Sequence, residues 1–218
     1  MTLITNKWTG TEYFKVNDFN HLECYVGNAK QSLYYYCFVM GFTPMAYKGP
    51  ETGCKEYVSY VLKKEQIHIV LTTPLTSSHP ASNWLKEHGD GVCDIALNVE
   101  NSKDAYSSTI SRGAESSYDY QSLDDKYGEY NISGIKIYGD VIHSFIDNSK
   151  YEGVWAPGYI ELDTNDFKVN DTGIIKIDHV VGNVEENKMN YWRDFYENIF
   201  GFTNFVVFDD TDISTQYS

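Results

Sequence analysis

Apolar residues along this chain come in short runs whose period switches between that of a strand and that of a helix. His21-Leu22-Glu23-Cys24-Tyr25-Val26 reads as a strand closed by Gly27-Asn28. Leu33, Tyr36, Cys37 and Met40 then recur at i, i+3, i+4 and i+7, which predicts one apolar helix face. Gly41 stands where a left-handed residue ends a helix, and Phe42 opens an extended run. Tyr57 to Leu62 and Gln66 to Leu71 are rich in β-branched and aromatic residues around Lys63-Lys64-Glu65, a hairpin pattern. Thr72 to Pro80, with two prolines and many hydroxyls, predicts a loop.

The same order then recurs. Asp94 to Val99 reads as a strand, Ser102 as a cap for a helix through Arg112, and Gly113 as its end. Ile135 to Tyr138 and Val141 to Ile146 form a second hairpin pattern around Gly139-Asp140. A third start runs from a strand at Ile174 to Val181 into a helix face of Met189, Trp192, Tyr196 and Ile199. That helix closes at Gly201-Phe202, and a further strand is predicted over Phe205 to Phe208. Near-equal spacing from His21, Asp94 and His179 to Gly41, Gly113 and Gly201 marks an internal repeat, and a repeat constrains a fold more than propensity does. The unit is β-α-β-β-β, an α+β design with two complete modules and a partial third. The predicted layout is a lead-in over residues 1–18, a two-module N-terminal domain over 19–150, a connector over 151–171, and an incomplete C-terminal domain over 172–218.

Composition narrows the partners. The 218 residues carry 31 Asp+Glu against 17 Lys+Arg, a net charge of −14, and Arg112 and Arg193 are the only arginines. No basic stripe exists to neutralise phosphates, so nucleic acid is not an expected partner, and an acidic membrane surface would repel the chain. No run is long and apolar enough to span a bilayer, and the start lacks the apolar block of a signal peptide. Cys24, Cys37, Cys54 and Cys93 show no CxxC spacing, which fits reduced thiols in a cytoplasmic protein.

Two separated segments carry a family resemblance. Ile177-Asp178-His179-Val180-Val181-Gly182-Asn183-Val184, followed by Met189-Asn190-Tyr191-Trp192 and Phe195-Tyr196, resembles the start of the catalytic domain of 4-hydroxyphenylpyruvate dioxygenases. His88-Gly89-Asp90-Gly91-Val92-Cys93-Asp94-Ile95-Ala96 resembles a run in that family's N-terminal half, and Phe208-Asp209-Asp210 with Ile213-Ser214-Thr215 continues the likeness. The resemblance implies the vicinal-oxygen-chelate fold. It also implies an Fe(II) held by two histidines and a glutamate, with open positions for a 2-keto acid aromatic substrate and O2. The implied reaction gives homogentisate and CO2 in tyrosine catabolism, and family members are often homo-oligomers. Of the iron ligands only His179 matches a position here. The other two belong beyond Ser218, so this chain is expected to be inactive alone. The sister activity, 4-hydroxymandelate synthase, and a non-catalytic binding or structural module of the same fold stay open as alternatives.

Other patterns compete weakly. His88-x-Asp90 with His143 has the order of a 2-oxoglutarate oxygenase triad, yet no arginine follows soon after His143, where the chain reads Ser-Phe-Ile-Asp-Asn-Ser-Lys. His21 holds the first module's equivalent of His179 and reads as a structural histidine. His68 reads as the polar face of a strand, and His79 as a loop residue. Tyr34-Tyr35-Tyr36 fits core and edge packing, and Asp209-Asp210-Thr211-Asp212 lacks the glycine and glutamate of a calcium loop.

Overall fold

The structure, a computed structural model, describes residues 13–165 and 167–204. The first repeat forms β1 (Val16–Tyr25), α1 (Ala29–Phe38), β2 (Thr43–Lys48), β3 (Tyr57–Lys64) and β4 (Ile67–Pro74). After an intervening helix, α2 (Pro80–His88), the second repeat forms β5 (Gly91–Val99), α3 (Ser102–Ser111), β6 (Ser116–Asp125), β7 (Gly128–Lys136) and β8 (Ile142–Tyr151). A short β9 (Ile160–Glu161) and a final helix, α4 (Met189–Phe200), follow.

Among the described residues nine strands join one mixed sheet in the order β6-β7-β8-β5-β1-β4-β3-β2-β9. Each repeat has the same internal layout. Its first strand pairs in parallel with its last, β1 with β4 and β5 with β8, and the other pairs are antiparallel. The repeats meet where β1 and β5 run antiparallel, with Leu22 opposite Ile95 and Glu23 opposite Asp94. Corresponding positions of the two modules are thereby brought together at the centre of the sheet.

Successive side chains on a strand point to opposite faces, and the cores follow that alternation. On the outer face, Leu22, Cys24, Leu62, Ile69 and Leu71 pack under Leu33 and Cys37 of α1. Beside them Leu97, Val99, Ile135 and Phe145 pack under Ala105 of α3 and under Ile199 and Phe200 of α4. The third repeat's helix thus lies on the two-module sheet, and Trp192 packs edge-on against Tyr138. The inner face is concave. It is lined by the alternate residues and closed by the stretch after β8, where Trp155 and Tyr159 rest on Ala46, Val61 and Val70.

Several predicted boundaries shift. Asn101, not Ser102, caps α3, its carboxamide oxygen accepting the Asp104 N–H, and Ser102 is buried with its hydroxyl donating to the Phe145 carbonyl. The loop predicted over Thr72 to Pro80 is shorter, because β4 runs to Pro74 and Pro80 opens α2. Proline suits a first helical turn, where its missing N–H would have no partner. His79 is the cap of α2, its Nδ1 accepting the Ala81 N–H. The connector expected over 151–171 contributes β9, which pairs with Ala46 and Tyr47 of β2.

The strand predicted over Ile174 to Val181 is not formed. That stretch has no regular structure and pairs with no strand among the described residues. It lies over the outer face, where the sheet offers side chains rather than an edge, and Ile174 and Ile177 settle against the first core. A strand needs a neighbouring ladder, and alternation alone supplies none. The strand predicted over Phe205 to Phe208 and the acidic run Asp209 to Asp212 lie outside the described residues.

Candidate functional site

His179 lies on the irregular outer stretch, where its side chain is 71% exposed and its Nδ1 sits 2.9 Å from an Asp178 carboxylate oxygen. That contact holds the Asp178 carboxyl below its ordinary pKa. Lys176 to Val180 border a cavity of about 670 Å³ with Tyr138, His143 and Tyr196. His143 faces this cavity without being free to ligate. Its Nδ1–H donates to the Ile95 carbonyl at 2.7 Å, so Nε2 accepts from the Tyr196 hydroxyl at 3.0 Å. Burial pushes its pKa down to about 4, which keeps the ring neutral.

The His88, Asp90 and His143 triad is not assembled. His88 Nε2 pairs with Asp140 at 2.7 Å, Asp90 accepts the Gly27 N–H at 2.7 Å, and His143 is buried under α4. His68 is half-buried against the Trp155 ring rather than on an open polar face. Tyr36 packs on the first core, while Tyr34 and Tyr35 stay exposed. Cys24, Cys37, Cys54 and Cys93 are free thiols, and the Cys54 side chain is only half-buried.

The concave face holds the larger concentration of chemistry. A cavity of about 620 Å³ is lined there by His21, Glu23, Asp94, Tyr118, Tyr130 and Trp155, among others. His21 and Glu23 are two apart on β1 and share a face, and Asp94 is the direct cross-strand partner of Glu23. One ligand atom from each of these three lies within 4.8 Å of the others. His21 is 7% and Asp94 5% exposed. Glu23 accepts the Thr72 hydroxyl at 2.6 Å, and Asp94 accepts the Ser144 N–H at 3.0 Å and the Ser144 hydroxyl.

Two carboxylates share this place without a cationic side chain against them. Lys48, which lines the same cavity, donates instead to the Pro157 carbonyl at 3.2 Å and faces the Tyr57 and Tyr159 rings. Burial raises the Glu23 carboxyl, and burial with the nearby Glu23 charge raises Asp94 to about 7. Burial and neighbouring His68 lower His21 to about 3, so its ring is neutral. A histidine alone was legible in the sequence. Glu23 and Asp94 were not, because only the β1–β5 register brings them together.

The residues around His179 do not fit an iron centre of two histidines and a carboxylate. Among the described residues, no group of three ligand-bearing side chains includes it. The trio on the concave face is on the opposite side of the sheet, and the exposed trio Glu87, His88 and Asp140 is drawn from α2 and the turn before β8.

The family model described as Hydroxyphenylpyruvate dioxygenase, HPPD, N-terminal matches residues 12–163. The chain is 36% identical to a 4-hydroxyphenylpyruvate dioxygenase of Coccidioides posadasii over 92% of its own length and 54% of that protein's. It is 32% identical to the enzyme of the same name from Yarrowia lipolytica, over 99% of the chain and 58% of the relative. It therefore spans little more than half the length of these curated relatives. Among solved structures, a triple mutant of 4-hydroxymandelate synthase from Streptomyces coelicolor superposes with a TM-score of 0.72 at 22% identity, covering 85% of this chain and 53% of that one. That likeness establishes the vicinal-oxygen-chelate fold. With the family match spanning both repeats, the chain belongs to the hydroxyphenylpyruvate dioxygenase family, through that family's N-terminal domain.

Proposed function

We propose that this sequence is the N-terminal half of a 4-hydroxyphenylpyruvate dioxygenase, an Fe(II) enzyme converting 4-hydroxyphenylpyruvate and O2 to homogentisate and CO2. The observation that carries the reading is identity of 32–36% to curated dioxygenases over more than nine-tenths of the chain. In this reading residues 19–150 are a two-module domain, 151–171 a connector, and 172–218 the start of the catalytic domain. His179 is the one iron ligand contributed here. The described residues give it no partner ligands, so no step of the reaction is drawn through them. Their role is scaffolding: the outer face seats α4, which leads the chain on from His179.

The protein works in this reading as a homo-oligomer in the cytoplasm, on a 2-keto acid aromatic substrate, with neither nucleic acid nor membrane as partner. Among the described residues no helix is long and apolar enough to cross a membrane. The test is product analysis on the polypeptide encoded by the whole reading frame that carries this sequence, supplied with Fe(II), ascorbate, O2 and 4-hydroxyphenylpyruvate. Homogentisate with stoichiometric CO2 is expected. 4-Hydroxymandelate as the product would replace this reading with that of the synthase, and no turnover by iron-loaded protein would favour a non-catalytic module.

A further inference from the structure

We propose that His21, Glu23 and Asp94 form a binding site for a first-row divalent metal ion on the concave face, separate from any iron held through His179. The three side chains come from β1 and β5, the two central strands of the sheet, and one ligand atom of each lies within 4.8 Å of the others. Their positions are related by the repeat. His21 stands five residues before Val26, and Asp94 five before Val99, so antiparallel pairing of β1 with β5 carries equivalent residues of the two modules to one spot.

The orientation of the histidine is the independent sign of a ligand. His21 Nδ1 lies 2.7 Å from the Asn20 carboxamide oxygen. The Asn20 amide nitrogen is committed to Asn98 Oδ1, so the group facing His21 is an acceptor. Nδ1 must then carry the proton, and Nε2 keeps a lone pair with no hydrogen-bond partner among the described residues. A ring whose outer nitrogen is held by such a bond and whose other nitrogen is bare is the usual arrangement of a metal-binding histidine. The residue is 93% buried, and it lines the concave cavity, onto which Nε2 opens.

The carboxylates complete the case. Glu23 and Asp94 face each other across a ladder without Lys or Arg, and each has hydrogen-bond donors on only part of its oxygen capacity. A divalent cation would neutralise both at once. One imidazole nitrogen with two carboxylates suits manganese, iron, cobalt or zinc better than calcium or magnesium, which favour oxygen alone. The cavity beside the trio leaves room for water or a small ligand at the remaining positions.

The test uses the 218-residue chain stripped with a chelator, then titrated with Zn(II) by calorimetry and with Co(II) by visible absorption. One equivalent should bind, with ligand-field bands for Co(II) and a rise in melting temperature. His21→Gln and Glu23→Gln should each weaken binding at least about tenfold. His179→Gln should leave it unchanged. Glu23→Gln also removes a buried charge, so it should melt no lower than the parent in chelator, which separates lost ligation from lost folding. Absence of saturable binding by the parent, binding that survives both His21→Gln and Glu23→Gln, or binding abolished by His179→Gln would each overturn the proposal. None of these outcomes depends on whether the whole protein makes homogentisate.

Discussion

At Asp94 burial lifts the carboxyl to about 7, well above the value it would have in an unfolded chain. The native state therefore holds a proton that the unfolded state has released between about pH 4 and 7. The stability this gives is fully present below about pH 4 and is lost as pH rises through about 7. Asp94→Asn keeps an acceptor for the Ser144 N–H and cannot ionise. In chelator, the parent should lose stability relative to Asp94→Asn by roughly 2–4 kcal/mol between pH 4 and 8, read from urea denaturation. His21 and His143, lowered to about 3 and about 4, contribute slopes of opposite sign. They are present in both proteins and cancel in the difference. A difference independent of pH would refute the buried, uncompensated state of Asp94. His143 makes a second residue-scale case. Its Nε2 has Tyr196 as donor, so Tyr196→Phe leaves a buried acceptor bare and should cost about 1–3 kcal/mol. The sequence displayed each of these residues but not their company. His21 stood out as a histidine, while its carboxylate partners became visible only through strand register.

Among the elements, the repeat was legible because three cues coincided at each start: a strand, a helical apolar face and a terminal glycine. The structure keeps the three helices as α1, α3 and α4 and gives the first two modules identically ordered sets of four strands within one sheet, while the third start forms no strand among the described residues. Three elements were missed for physical reasons. The β6 strand turns only Ser116, Tyr118 and Tyr120 inward and has no aliphatic residue on that face, so it carries little core-facing signal. The β9 strand has two residues and exists through pairing with β2. The α2 helix begins at a proline that reads equally as a loop. The reverse error at Ile174 to Val181 has a matching cause, since alternation predicts a strand and a strand requires a partner. The seat of α4 is testable. Phe200 is fully buried among Phe14, Phe145, Tyr196 and Phe202. Phe200→Ala should cost about 3–5 kcal/mol. Met189→Ala at the exposed start of the helix should stay within about 0.5 kcal/mol. Equal effects at the two positions would mean that α4 is not docked. Gly41 joins two elements in the same way. Its φ is +75°, and an added Cβ would meet the Asn170 carbonyl oxygen at 2.5 Å. Gly41→Ala should therefore cost more than about 1 kcal/mol and quicken proteolysis near Asn170.

For the molecule as a whole, fold and family were readable because they are written in periodicity and in two separated motifs. The grouping of His21 with Glu23 and Asp94 was not, since it depends on which strands meet. The net charge of −14 names no partner. The concave cavity and the outer cavity lie on opposite faces of one sheet. In the full-length protein the direct comparison is His179→Gln against His21→Gln, each assayed for homogentisate formed per minute. His179→Gln is expected to retain less than about a tenth of the turnover, while His21→Gln keeps turnover near the parent level whatever metal it loses from the concave face. Full turnover in His179→Gln would contradict this.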